Sequence, residues 1–468
     1  LLSAVSSSSS SLGKGINAIE HIVIFMQENR AFDHYYGTHR GVRGFNDRAA
    51  PVLPNGRPVF YQPVTPPKSH SLLCGCYVAS ATKDEASSSC TLDFSPAGAD
   101  LKEILLDADC SKLAQVLGGA TPPQTIHSGE LCSTMMDAMW TESIEGLKVS
   151  QMLQSKPTCP AGLKLSEDTT SSSADDAYIL PFPLLFNTTA ATCMPAPEMA
   201  YESNIHIWNG GKIDGWNTAR TPGFGMSYFN RTDLPYYYAL ADAFTIGDQY
   251  FQSTFTATCP NREHLFSGSN GLSTNVTFNG TGFDLLDDAE PAGMTWETMG
   301  ETLEAANVSW RVYQEADNFD DNGFQWFEAF KNATKGSPLF DKGMARQDDF
   351  VKAFQADVEA GTLPHVSWLV GPARLSEHAS NHPQSGEDLT ARILQILADP
   401  KNAKVYAKTA FILNYDEGGQ FVDHHWPPTP PMDATRGAST VTTVGELTET
   451  TEFNIPAGHP IGLGWRVP

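Results

Sequence analysis

Apolar residues gather along the chain in short, nearly unbroken runs at Ile19–Met26, Ala243–Ile246, Trp310–Tyr313, Val366–Val370 and Ala410–Leu413. Continuous runs, as opposed to alternating ones, mark strands buried on both faces, the condition of a parallel sheet covered by helices on each side. Helical patterns stand between the runs, as at Trp296–Ala306 and Leu389–Leu397. Strand–helix alternation of this kind predicts an α/β fold with a doubly wound, mostly parallel central sheet. Such sheets offer their ligand sites at the carboxyl ends of the strands, so the residues just past each run are where chemistry is expected.

Those residues are polar. The first run ends in Glu28-Asn29-Arg30, groups that are costly to bury unpaired. Taken alone, an ion pair of Glu28 with Arg30 and a helix cap from Asn29 would explain them. After the second run comes TATCPNREHLFSG, where Pro260 suits the first residue of a helix that Gly268 ends. Thr258 then lies immediately outside a helix N-terminus, where unpaired N–H groups and the helix dipole favour anionic oxygens, and Asn261 can aim an amide donor the same way. An ordinary threonine cap fits equally well. The run Ala410–Leu413 leads into Asp416-Glu417, a Gly-Gly turn and Asp423-His424-His425. Adjacent acids at a buried strand end repel each other unless a cation lies between them, and hard cations prefer such oxygens; a solvated acidic loop is the alternative. The run Val366–Val370 leads into Glu377-His378, and a histidine there can protonate a leaving oxygen. Four strand ends thus supply carboxylates, an amide, a hydroxyl and a histidine.

Charge and cysteine usage narrow the setting. A net charge of −24 leaves no basic stripe for nucleic acid and disfavours strongly anionic membranes. No run reaches the roughly 18–20 apolar residues of a membrane span, so a soluble chain is expected. The Ser-rich start, residues 1–17, reads as a flexible leader left after removal of a signal peptide. Asn-X-Ser/Thr acceptors at Asn187, Asn230, Asn275, Asn279, Asn307 and Asn332 point to a glycosylated, secreted, extracellular protein. Of the 8 cysteines, Cys74, Cys76, Cys90, Cys110, Cys132, Cys159 and Cys193 crowd a Ser-, Pro- and Gly-rich stretch, expected to be a disulfide-stapled insertion at about 66–200. Seven is odd, so either Cys259 pairs with one of them or a thiol remains. Their spacing matches no zinc-binding pattern.

The stretches ENRAFDHYYGT, NGGKIDGW (Asn209–Trp216), TCPNR (Thr258–Arg262), LSEHASNHP and NYDEGGQFVDH resemble, in order, the signatures of the secreted phosphoesterase family of phospholipases C and related acid phosphatases. The resemblance runs from about Ile19 to the end of the sequence, except in the Cys-rich stretch. It implies an alkaline-phosphatase-like fold and places Thr258 as a nucleophile that forms a phospho-enzyme. It places Glu28, Asn29, Asp416 and Glu417, completed by Thr258, as ligands of one divalent ion, with Ca, Mg, Mn and Zn all open. Asn261 and His378 match groups that hold phosphoryl oxygens or serve the leaving group. A further site histidine is expected before NGGK, with His127 in TIHSGE first and His206 second. Many relatives carry another residue where Cys259 stands, and relatives continue beyond GLGWRVP. The sequence is therefore read as a single phosphoesterase domain over 18–468, with a C-terminal part missing or on a separate cleaved chain.

These readings imply a metal-dependent phosphoester hydrolase of the fungal phospholipase C type. Its expected partners are phospholipid or a small phosphoester, with transient contact at a membrane surface and no nucleic acid. An acid phosphatase acting on monoesters is the nearest alternative, and an inactive secreted binding protein on the same fold is the alternative of another class.

Overall fold

The first apolar run forms the strand from which the rest of the molecule is organised. In the computed structural model, which describes residues 15–63, 163–164, 178–184, 199–217, 224–271, 293–379, 381–443, 445–448 and 455–468, strand β1 is His21–Gln27. It is flanked by β3 (Val366–Leu369) and β4 (Thr409–Tyr415), with β2 (Trp310–Tyr313) outside β3. All pairings are parallel and the order is β2-β3-β1-β4. The sheet is therefore a parallel α/β sheet, as the continuous runs predict.

Helices cover both faces. On one, Val23, Phe25 and Tyr313 pack against α6 (Phe350–Ala360) and α7 (Pro383–Ala398) through Phe354, Val358, Leu389 and Ile393. Both helices carry clear start signals: the Asp349 carboxylate accepts from Lys352 N–H on α6, and Pro383 opens α7. On the other face, Trp310, Val312 and Trp368 meet Phe266 of α4 (Thr258–Ser267) and Phe324. Helix α5 (Met299–Ala305) is narrower than its apolar pattern, because the Thr298–Glu301 capping box sets its start. A third cluster, including Phe32 and Tyr35 of α1 (Phe32–Tyr36), Trp208 of α2 (Tyr201–Trp208), Trp216 and Trp465, fills the space beyond the carboxyl ends of β1 and β4.

One expected strand is absent. Ala243–Ile246 does not join the sheet: Ala243 ends α3 (Pro235–Ala243), and Phe244 and Ile246 lie in the following coil along an apolar groove of about 570 Å³. The run continues a helical pattern begun at Tyr236, and four residues cannot show which period they belong to. The leader up to residue 14 and the seven clustered cysteines lie outside the described residues. No helix among the described residues is long and apolar enough to cross a membrane.

Candidate functional site

The parallel register of β1 and β4 pairs Met26 with Asn414 and Gln27 with Tyr415. The next residues, Glu28 and Asp416, therefore leave the sheet side by side. Asn29 turns through a left-handed backbone with φ 49°, which aims its N–H at Asp416 Oδ1, 3.0 Å away. The same oxygen accepts from Glu417 N–H at 2.7 Å, and Glu417 Oε2 accepts from Gly419 N–H at 2.6 Å. Gly419, φ 60°, passes so close to the Asn29 carbonyl that a Cβ there would collide with it. The Gly-Gly turn is what lets the two acid-bearing loops touch.

Arg262 reaches into this junction from α4. Its Nη2 lies 2.5 Å from Glu28 Oε1 and 3.1 Å from Asp321 Oδ2, and its Nε 3.3 Å from Asp416 Oδ2. All four side chains are buried. One guanidinium thus faces three carboxylates, with Glu417 on the same loop, so negative charge is in excess. Burial, followed by the Asp321 charge, pushes the Glu28 carboxyl well above its usual range; burial and then Glu28 do the same to Asp416. Burial disfavours the Arg262 charge, but Asp321, Glu28 and Asp416 outweigh it and hold the guanidinium above its ordinary value. Glu28 Oε2 and Asn29 Oδ1 are buried without a hydrogen-bond partner among the described residues, while the Asn29 amide points a hydrogen at Met199 Sδ. Surplus buried charge with unpaired oxygens is what a hard divalent cation satisfies, so the chemistry of Glu28, Asn29, Asp416 and Glu417 fits such an ion.

Helix α4 starts at Thr258, two residues earlier than the start at Pro260 that the sequence suggested, so Thr258 lies inside the helix and Ala257 is the cap residue. Arg262 follows one turn later, a spacing that puts the two residues on one helix face. The loop before it is pinned by two amides. Asn261 Nδ2 donates to Thr256 and Ala257 carbonyls at 3.0 and 2.9 Å, and its Oδ1 accepts from Thr254 N–H at 2.9 Å. Both ends of the Asn261 amide are thereby committed to the backbone. Gln252 donates to Thr254 O at 2.6 Å and accepts from Gly418 N–H at 3.1 Å, joining this loop to the acidic one. Residues 461–467 run beside it, with Phe255 N–H donating to Ile461 O at 2.7 Å and Gln252 N–H to Trp465 O at 2.9 Å. Cys259 is half-buried against the cluster that contains Trp310 and Phe324.

His378 is half-buried. Its ring meets Phe319 edge-on at 5.3 Å, two residues from Asp321. Arg30, the third polar residue after β1, does not pair with Glu28 among the described residues. It donates to the Glu377, His378 and Asn381 carbonyls at 2.7, 3.0 and 3.1 Å and so ties the histidine loop to β1. His206 is exposed on α2 and is not brought to the acids, and His127 lies outside the described residues. The reading of strand ends missed Arg262, Asp321 and Gln252. Arg262 stood in the quoted TCPNR stretch, four residues after Thr258, a spacing that puts both on one face of a helix.

A second buried cluster lies beyond the acids. Asp33, Asp423 and His424 offer ligand atoms within 4.8 Å of one another and could hold a metal. The Arg466 guanidinium reaches it: Nη2 is 3.0 Å from Asp33 Oδ1 and 2.5 Å from Asp423 Oδ1. His424 Nδ1 lies 2.5 Å from Asp33 Oδ2 and Nε2 3.2 Å from Asp47 Oδ2. Burial opposes the His424 charge, but Asp33 outweighs it and raises the imidazole above its ordinary value.

A profile described as the Phosphoesterase family matches residues 19–93 and 144–468. The chain is 32% identical over 478 residues to a hemolytic phospholipase C of Pseudomonas aeruginosa, covering 97% of this chain and 49% of that protein. It is 32% identical to a non-hemolytic phospholipase C of Burkholderia pseudomallei, covering 97% and 51%. A phospholipase C B of Mycobacterium tuberculosis is 28% identical, covering 96% and 67%. The chain spans about half the length of the first two of these curated relatives.

Proposed function

The chain belongs to the phosphoesterase family, and from that premise we propose that it is a metal-dependent phosphoric ester hydrolase of the phospholipase C kind. The carrying observation is the meeting of Glu28, Asn29, Asp416 and Glu417 beside Arg262 of α4, with Glu28 Oε2 and Asn29 Oδ1 buried without a partner among the described residues. These four residues, with Thr258, are the ones that would hold the ion. When bound, a divalent ion would lower the pKa of the Thr258 hydroxyl and screen its approach to an anionic phosphorus.

The chain's own groups do the rest. Thr258 Oγ1 gives up its proton to solvent and forms a bond to phosphorus in line while the bond from phosphorus to the leaving oxygen breaks. Backbone N–H groups at the start of α4 face the phosphoryl oxygens. His378 delivers a proton to the departing diacylglycerol, and water then cleaves the phosphodiester left on Thr258, releasing the headgroup phosphate and restoring the hydroxyl. The Asn261 amide, fixed on the backbone of residues 254–257, holds the nucleophile loop in shape and acts on the phosphoryl group through that loop. We extend the fold reading to an alkaline-phosphatase-like arrangement, and the setting to a secreted glycoprotein that meets lipid at a surface. The exposed acceptors Asn307 and Asn332 support glycosylation.

The substrate assignment follows the phospholipase C relatives, and the test has separate arms. Release of diacylglycerol from phosphatidylcholine micelles is expected, beyond release of inorganic phosphate from p-nitrophenyl phosphate. The reverse preference would favour an acid phosphatase. Inertness toward both, with no divalent ion bound, would leave a binding protein.

A further inference from the structure

Glu377 is a fully buried carboxylate with no part in the chemistry above, yet it stands behind three segments of the site. It directly precedes His378. Its Oε2 accepts from Tyr35 Oη at 2.5 Å and from Tyr415 Oη at 3.0 Å, and its Oε1 accepts from Tyr237 Oη. Tyr35 belongs to α1, Tyr237 to α3, and Tyr415 is the last residue of β4, adjacent to Asp416. On the main-chain side the Glu377 carbonyl accepts from Arg30 Nε at 2.7 Å, and Arg30 is adjacent to Asn29. Room for the side chain depends on Gly386 of α7, where a Cβ would overlap Glu377 Cγ and Oε1.

We propose that Glu377 is a positioning residue: as an anion it draws three phenols to one point and so fixes Asp416, Asn29 and His378 relative to one another. The proposal rests on the phosphoester-hydrolase reading of this site. An ionised carboxylate can accept all three O–H groups at once. A protonated one must donate a hydrogen itself, and one phenol then has to turn away. Its surroundings set where that change occurs. Burial raises the Glu377 carboxyl to about 7, against the three phenols and Arg30, which favour the anion. The other facing acid, Glu387 of α7, is itself engaged by Tyr236 and Tyr237 N–H at 2.8 and 3.0 Å. The lock is therefore closed above about pH 7 and loosens below it.

The test is the pH profile of phosphatidylcholine micelle hydrolysis by wild type, Glu377→Gln and Tyr237→Phe. Glu377→Gln is expected to lower kcat about 10–100-fold above the limb with little change in KM. It should also abolish the limb near pH 7 while keeping bound Mn²⁺. Tyr237→Phe removes one donor to the anion from α3, a helix that carries none of the proposed site residues, so it should keep activity and move the limb to higher pH. Glu377→Gln with wild-type kcat and an intact limb, or an unmoved limb in Tyr237→Phe, would overturn the proposal while leaving the hydrolase reading in place. Wild-type protein inert toward this substrate and toward p-nitrophenyl phosphate would overturn both.

Discussion

Arg262 Nη2 lies 2.5 Å from Glu28 Oε1, with both side chains sealed from solvent. A permanent cation on the helix that carries Thr258 is thus bound to an acid that the family resemblance assigns to a metal. The two roles are compatible because Glu28 has a second oxygen, Oε2, without a partner among the described residues. Arg262 then offsets part of the charge of Glu28, Asp321 and Asp416, and a divalent ion would offset the remainder.

Removing that guanidinium leaves buried carboxylates uncompensated. Arg262→Ala is expected to lose about 3–5 kcal/mol of stability in urea unfolding with chelator present. Excess Mn²⁺ should recover part of the loss. Equal losses with and without ion would mean that no cation binds there.

Asn261→Ala removes three side-chain contacts to the backbone of residues 254–257. The loop before Thr258 should become mobile, lowering kcat about 100-fold or more through misplacement of the nucleophile. Bound Mn²⁺ should stay near wild type. A variant that raised only KM would assign Asn261 to substrate binding instead.

Burial lowers the His264 imidazole on α4 to about 4 from an ordinary 6.5. Between those values the unfolded chain binds more protons than the folded one, so stability falls as pH is lowered through the window. Urea midpoints should therefore drop from pH 7 to pH 4, and His264→Gln should flatten the slope. His382, also lowered to about 4 by burial and the Arg30 charge, should add to it. A slope unchanged in His264→Gln would contradict the assignment.

Strand ends were legible because a parallel sheet leaves a plain mark, an apolar run stopping at polar residues, and β1 and β4 both carry it. Neighbourhood was not legible. That Glu28 and Asp416 stand side by side follows from the strand order, which no local pattern contains. Arg262 was hidden for the same reason, since its partners lie 234 and 154 positions away. Ala243–Ile246 misled because a short apolar run carries no period of its own. The site histidine expected at His127 lies outside the described residues, and His206 faces away on α2.

Arg466 joins Asp33 on α1 to Asp423 after β4 and donates to the Arg43 and Asp248 carbonyls at 2.7 and 2.9 Å. Arg466→Ala is expected to lose about 3–5 kcal/mol, because Asp33 and Asp423 would be left as buried, uncompensated acids. Urea unfolding at pH 7 measures it. A loss below about 1 kcal/mol, typical of exposed ion pairs, would show that the cluster is open to water.

The central claim is that Thr258 accepts the phosphoryl group. The direct measurement is acid quench of the wild-type protein during turnover of phosphatidylcholine, followed by mass spectrometry of its peptides. A single phosphocholine group on the peptide carrying Thr258, lost together with activity in Thr258→Ala, is the predicted result. Undiminished turnover by Thr258→Ala, or a phosphocholine group on another residue, would contradict it.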